Sequence, residues 1–411
     1  MRRCCVARIL YLSLTGMTEP LGRSQVLEYL MDLSAENSIY LVSFEREHDL
    51  DNADKIKELI KEHDIEWHYL IYSNRHGVFS TLRQILQAIR LGSKLVKEHT
   101  LEIVHARSMI PATMGWVLKK RYGVRLLFDI RGFAIDEKVD SGRLHKNTFL
   151  YKLLKRLDDY LYKASDHVVT LTYAAKKILQ TTLDIPQERI TVIPTCASRE
   201  VFKVMSEADR EIFKTSQGYG SEDKIILHTG TVGSWYDFES EVRLVKAAMQ
   251  RDGDVRFLVL NRNEQPFIGK LLDKYALPKD RVKIAACGFD EVYKYLNIAD
   301  ISLFFIKPSF SKQASAPTKF AENVACMLPS VTNGNVGDMG FYLERYNVGM
   351  AVDLETLDEK LEKVAGDVIE LMKSAQVDTE DFRRLFDEHF DKAMAVRKYQ
   401  GIYDRLESGA S

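Results

Sequence analysis

At 411 residues the chain is too long for one ordinary hydrophobic core, and at roughly 100 to 200 residues per domain it reads as two compact units. Hydrophobic residues at 45% and charged residues at 28% exclude a disordered or collagen-like chain. The net charge of −1 does not point to nucleic acid as a partner, and no stretch approaches the roughly 20 apolar residues that span a membrane.

The chain opens with MRRCCVARILYLSLTGM, in which arginines precede an apolar run in the manner of a secretion signal. The run is short, however, and TGMTEP follows it instead of further apolar residues and a small-residue cleavage site, so a buried first strand is expected. Cys4, Cys5, Cys196, Cys287 and Cys326 are few, odd in number and without metal-ligand spacing, which fits a reducing cytoplasm. The loop TGMTEPLGRSQ then leads into a helix expected to begin near Ser24. Gly16 and Gly22 would let backbone amides approach an anion at that helix end, although a plain flexible loop fits the residue types equally. The loop is neither a G-x-G-x-x-G fingerprint nor a P-loop.

Strand-like runs ARILYLSL, SIYLVSF, WHYLIY, EIVHA, RLLFDI, HVVTLT and ITVIP alternate with helical patterns through the first half, which predicts a parallel sheet covered on both faces. Between the third and fourth runs, residues 79–98 place Leu82, Ile85, Leu86, Ile89 and Leu95 at helical spacing beside Arg83, Arg90, Lys94 and Lys97. Residues 75–131 as a whole hold 11 basic against 3 acidic side chains. That excess would attract an anionic membrane surface, here assigned to residues 75–100, or a phosphorylated acceptor; a solvated helix face is the plainer alternative. The segment FDIRGFAIDE gathers Asp129, Arg131, Asp136 and Glu137 at a strand's carboxyl end, where ligands of open parallel sheets bind. Asp129, Arg131 and Glu137 are therefore candidate catalytic groups, the competing reading being an ion pair that braces the loop.

Residues 195–222 are polar and lose the strand pattern. The expected division is a first domain at 1–197, a linker at 198–222, a second domain at 223–385 and a bracing C-terminal helix at 386–411. In the second half, KIILHTG, VRFLVLN, VKIAACG, ISLFFI, LPSVT and GMAVD repeat the alternation. HTGTVGSWYDF places Gly230, Thr231 and Gly233 in a turn suited to phosphate oxygens, with Trp235 and Tyr236 available for stacking or for the core. In SKQASAPTKFAENVACMLPSV, residues Ser315, Pro317, Thr318 and Lys319 open a helix and Glu322 follows one turn on. Lys319 is placed to meet phosphate, and the Glu322 carboxylate to accept hydrogen bonds from vicinal sugar hydroxyls; a Lys319 to Glu322 ion pair is the bland alternative.

The order of EPLGRSQVLEYLMDLS, SDHVVTLT, ITVIPT with Phe202, GTVGSWYDF and SAPTKFAENVACMLPSV resembles glycosyltransferase family 4, over most of the chain. The resemblance implies a GT-B fold: two doubly wound α/β Rossmann-like domains facing a central cleft, with C-terminal helices packing back on the first. It implies a retaining transfer from a nucleotide sugar, without cofactor or metal, to a hydroxyl of a lipid-linked or glycan acceptor in cell-surface polysaccharide or glycoconjugate synthesis. Glu322 matches the second glutamate of the family's E-x7-E signature. Donor contacts are expected at Gly22, Gly230, Thr231, Gly233, Trp235, Arg262, Ser315, Thr318, Lys319 and Glu322. Three positions depart from the pattern. Ala314 replaces the first glutamate, no Arg or Lys follows the glycine turn, and Arg131 stands in a DxRGxxxDE pattern where many members have histidine. Phosphate neutralisation is thereby shifted towards Lys319 and Arg262. A nucleotide-sugar epimerase, and a degenerate GT-B protein that binds a sugar nucleotide or a partner enzyme, are the alternatives of other classes.

Overall fold

A computed structural model of the protein describes residues 7–73, 78–373 and 379–409. Cys4, Cys5 and part of the basic stretch, residues 75–77, lie outside the described residues. The chain divides into one unit of residues 1–194 and 393–411 and another of residues 195–392.

The first unit holds a sheet of β1 (Ala7–Ser13), β2 (Asn37–Glu45), β3 (Ile65–Ile71), β4 (Ile103–Arg107), β5 (Arg125–Asp129), β6 (His167–Thr170) and β7 (Ile190–Val192). Every pairing is parallel, in the order β3-β2-β1-β4-β5-β6-β7, with Leu10 of β1 opposite Tyr40 on one side and Val104 on the other. The second unit repeats the plan with β8 (Lys224–Thr229), β9 (Val255–Leu260), β10 (Val282–Ala285), β11 (Ile301–Leu303), β12 (Ser330–Thr332) and β13 (Gly349–Ala351), ordered β10-β9-β8-β11-β12-β13. Each strand corresponds to one of the apolar runs in the sequence; the central strands are buried on both faces and so show no polar alternation, while the edge strands β3, β10 and β13 are only partly buried. On β8, Ile225 and Leu227 enter one core and Ile226 the opposite one. Strand order reverses between β1 and β4 and again between β8 and β11, and the carboxyl ends beside such a reversal are where ligands of these sheets bind.

Three boundaries differ from the sequence reading. The first helix begins at Pro20 and not near Ser24, with Gly22 already helical at φ −65° and ψ −41°. A Cβ on Gly22 would lie 1.8 Å from the Gly16 carbonyl oxygen, so this glycine serves a close backbone approach within the loop and not a turn. Residues 198–222 fall within the second unit and contain the helix Glu207–Ser216, capped where the Ser206 hydroxyl accepts from the Asp209 amide and docked by Phe213 edge-on to Tyr295. At the other end, Phe386 and Phe390 are buried in the second unit, while the helix Lys392–Glu407 delivers Tyr399 and Tyr403 to the first. Asn37 Nδ2 donates to Gln400 Oε1 (2.7 Å) and Lys398 Nζ to the Val192 carbonyl (3.1 Å), fastening that helix to the first sheet. Among the described residues no helix is long and apolar enough to cross a membrane.

Candidate functional site

In the second unit the reversal brings together the turn after β8, the loop after β11 and the helix Thr318–Ala325. An antiparallel bridge between Tyr236 and Ile306, and the Lys307 amide donating to the Trp235 carbonyl (2.8 Å), tie the first two. The lead-in to the helix is held where the Thr195 hydroxyl donates to the Ala316 carbonyl (3.0 Å), leaving Ser315 and Thr318 partly exposed at its start.

Lys319 is the anomaly of this region. Its side chain is 93% buried, its residue showing 7% exposure, and Nζ has no hydrogen-bond partner among the described residues. The ammonium lies 3.9 Å from the Tyr236 ring centroid and 5.3 Å from that of Phe304. Burial pulls its pKa from 10.5 to about 8, against the opposing pull of the Glu241, Glu322 and Glu264 carboxylates. Burial likewise pushes the Glu322 carboxyl up to about 7, with Lys319 acting the other way. Lys319 Nζ makes no hydrogen bond to Glu322, so the bland alternative for this pair is not what the structure contains. A buried cation beside a carboxylate, neither one neutralising the other, is costly unless a ligand completes it.

The glycine turn is organised differently from the expectation. Gly230 adopts φ +84°, and the amides of Val232 and Gly233 point at an anion, but the anion is Glu264 of this chain, with N–H to carboxylate distances of 3.0 and 3.0 Å. A Cβ on Gly233 would come within 2.6 Å of Glu264 Oε1, so any larger residue there would push the carboxylate off these amides. Burial alone would raise the Glu264 carboxyl, yet the Thr231 hydroxyl, the Val232 amide and Asn261 together hold it below its ordinary value. Thr231 is exposed, and its carbonyl accepts from His228 Nε2 (3.1 Å), whose Nδ1 pairs with the fully buried Glu241 (2.6 Å). The first unit repeats the device: the amides of Met17 and Thr18 donate to the buried Glu45 carboxylate at 2.8 and 3.1 Å, so the Gly16 to Gly22 loop also carries its own anion.

Arg262 is exposed and its guanidinium donates to the Cys287 carbonyl (Nε, 2.9 Å). The basic groups nearest the glycine turn are ones the sequence reading passed over. Lys307 Nζ donates to the Ser234 carbonyl (3.2 Å), and Lys312 is buried with its ammonium 3.8 Å above the half-buried Trp235 ring. Both follow β11, the signal being two lysines in the loop after a very apolar strand. Ala314 is 1% exposed, so the position of the missing glutamate is filled by packing.

In the first unit Asp129 is completely buried at the end of β5. Tyr399 OH donates to its Oδ2 (3.2 Å), Arg107 lies 3.5 Å and His105 3.7 Å from the same oxygen, and Arg131 lies 3.5 Å from Oδ1. Burial would raise this carboxyl, but Arg131, His105 and Arg107 outweigh it and hold it at about 2. Arg131 lines a recess of only about 10 Å³ with Tyr11, Tyr29 and Tyr399. This arrangement is the bracing alternative: Asp129 touches no solvent, and what it orders is the C-terminal helix. Glu137 lies one turn into the helix Ala134–Asp140, its carboxylate folded over Gly132, which has φ +137°.

Residues 28–200 match the family model described as Glycosyltransferase Family 4. The probable glycosyltransferase WbjE of Pseudomonas aeruginosa is 24% identical over 181 residues, covering 42% of this chain and 44% of that protein, so the match spans less than half of the relative. A glycosyltransferase from Rickettsia africae superposes with a TM-score of 0.72 at 18% identity, over 98% of both chains. Anabaena Alr3699/HepE in complex with UDP and glucose gives 0.71 at 13% identity, over 96% of this chain and 99% of that one. The likeness to these solved structures shows the GT-B fold, with two parallel-sheet α/β domains.

Proposed function

We propose that the chain transfers a glycosyl group from a nucleotide sugar to a hydroxyl of a lipid-linked or glycan acceptor, with retained configuration, in the making of a cell-surface polysaccharide or glycoconjugate. The observation that carries the donor half is the buried, unpartnered Lys319 ammonium one helical turn from Glu322. A diphosphate supplies the charge Lys319 lacks and a ribose supplies two hydroxyls to Glu322; Lys319 then stabilises the departing diphosphate without recourse to a metal. The neighbour solved with UDP and glucose supports a donor of this class. The first unit takes the acceptor, and the basic helix Val78–His99 brings it to an anionic membrane at the cytoplasmic face.

Isothermal titration of the Glu322→Ala protein should show nucleoside affinity reduced roughly ten- to a hundredfold, the loss of hydrogen bonds to a charged acceptor being about 1.5 to 3 kcal/mol. Undiminished affinity in a folded variant would place the donor elsewhere. Incubation of the protein with a nucleotide sugar alone separates transfer from epimerisation, since only the latter yields an isomerised donor.

The two shifted pKa values also fix a pH signature. Binding needs Glu322 ionised, above about 7, and Lys319 protonated, below about 8. Nucleoside affinity is therefore expected to rise with pH through about 7 and to stay high, whereas diphosphate affinity should rise and then fall again through about 8. Parallel profiles for the two ligands would remove Lys319 from the phosphates.

A further inference from the structure

The helix Phe149–Ala164 buries Leu161, Tyr162 and Asp158 but also leaves apolar bulk on its outer face. On its inner face Asp158 is wholly buried beside Leu161 and accepts from Tyr162 OH (3.1 Å), and Lys155 reaches Asp136 (2.9 Å). Its outward face carries apolar bulk. Phe149 is 80% exposed, Leu150 54% and Leu153 52%, and Tyr160 follows on the same stripe two turns on. The unfavourable exposure of three large side chains within five residues is the kind of patch that marks an interaction surface.

The charges around the patch say what it meets. Lys152, Arg156 and Lys163 are exposed along one edge of the stripe, and none takes part in an ion pair among the described residues. Of the carboxylates of this helix, Asp158 is buried and the partly exposed Asp159 is paired with Lys155 at 3.5 Å. The surface thus offers apolar side chains flanked by three cations that take part in no ion pair among the described residues, while the helix's partly exposed carboxylate, Asp159, is already paired with Lys155. Within the same unit, the helix Met109–Tyr122 packs between this helix and Val78–His99, whose Leu82 and Leu86 are also exposed.

We propose that the helix Phe149–Ala164 lies in the surface of an anionic lipid bilayer, with Phe149, Leu150 and Leu153 entering the acyl boundary and Lys152, Arg156 and Lys163 at the level of the headgroups. The assignment rests on the membrane part of the proposed function, and makes this helix, more than the basic helix Val78–His99, the anchoring element. Tyr160, partly stacked edge-on with Trp116, fits the interfacial level where aromatic side chains gather.

Co-sedimentation of the full chain with phosphatidylglycerol-containing vesicles tests it, with pure phosphatidylcholine vesicles as the neutral arm. Wild type should bind the anionic vesicles in a salt-sensitive manner and the neutral ones weakly. The triple variant Phe149→Ser, Leu150→Ser, Leu153→Ser should bind about tenfold less or weaker still, with an unchanged melting temperature because the replaced side chains are already exposed. Lys152→Gln with Arg156→Gln leaves every apolar contact in place and should remove the preference for anionic lipid, which keeps the test valid should the triple variant lose its fold. Wild-type binding that survives both variants but is lost in Arg83→Gln with Arg90→Gln would overturn this helix as anchor while leaving the membrane reading intact. Absence of wild-type binding would overturn both. A wild-type dimer that the triple variant converts to monomer, with vesicle binding unaltered, would assign the patch to a second copy of the chain and overturn the lipid assignment. None of these readouts depends on transfer activity, so failure of the donor site would not imitate any of them.

Discussion

Lys319→Met is expected to raise the melting temperature of the protein while abolishing its preference for nucleoside diphosphate over nucleoside. The fall of the lysine pKa from 10.5 to about 8 corresponds to about 3 kcal/mol of folding free energy lost to burying the ammonium. The sign follows from a folded-state pKa below the unfolded one. Below about pH 8 the group is protonated in both states and the cost is present in full; it fades as pH rises from about 8 towards 10.5, because only the unfolded chain still gains from holding the proton. Methionine has nearly the same length, and its sulfur packs well against Tyr236 and Phe304, where the ammonium now sits. A rise of about 5 °C at pH 7 is expected, and none near pH 10, in a unit of this size. Over the same substitution, diphosphate affinity should fall roughly ten- to a hundredfold, while nucleoside affinity should stay close to wild type. Paired scanning fluorimetry and titration would show it. A lower melting temperature with diphosphate binding intact would make Lys319 a structural residue and would take the donor site away from this helix.

A stabilising change that destroys binding is what a preformed site predicts, since its unmet charge is kept at a cost to the fold. The sequence made this residue visible for a local reason: Ser-Ala-Pro-Thr-Lys after a buried strand has few structural uses. The thirteen strands were visible for a similar reason, each being a short apolar run between helical patterns. What stayed hidden depends on partners far along the chain. Glu45 lies 28 residues from the Met17 amide it holds, and Glu264 lies 31 from that of Gly233, so two loops that read as open anion nests are already filled. Gly22 read as room for amides to approach an anion because its close contact with the Gly16 backbone is visible only in the folded loop. The C-terminal segment was legible as a brace, but not the partners of its Tyr399 and Tyr403, Asp129 and His105, at separations of 270 and 298 residues.

Asp129→Ala is expected to destabilise the first unit by about 3 to 5 kcal/mol, because it leaves the buried Arg107 and the partly buried Arg131 without their common anion. The carboxyl is held at about 2 against an ordinary 3.8, so its contribution is fully present above about pH 4 and is lost as pH falls through about 2. The midpoint of chemical unfolding should drop accordingly, and the helix Lys392–Glu407 should become the first segment to exchange its amide protons, since Tyr399 loses its acceptor. Tyr399→Phe removes only the hydroxyl contact and should cost about 1 kcal/mol, with the same segment affected more weakly. Arg131, whose side chain retains 18% exposure, separates the two roles open to this loop. If it serves the acceptor side of transfer, Arg131→Lys should keep most of the stability, by preserving a cation beside Asp129, while lowering turnover more than stability; if it only braces the loop, activity and unfolding midpoint should fall together. An Asp129→Ala protein that unfolds like wild type yet transfers nothing would show the opposite of what its burial dictates, and would return Asp129 to the reacting atoms.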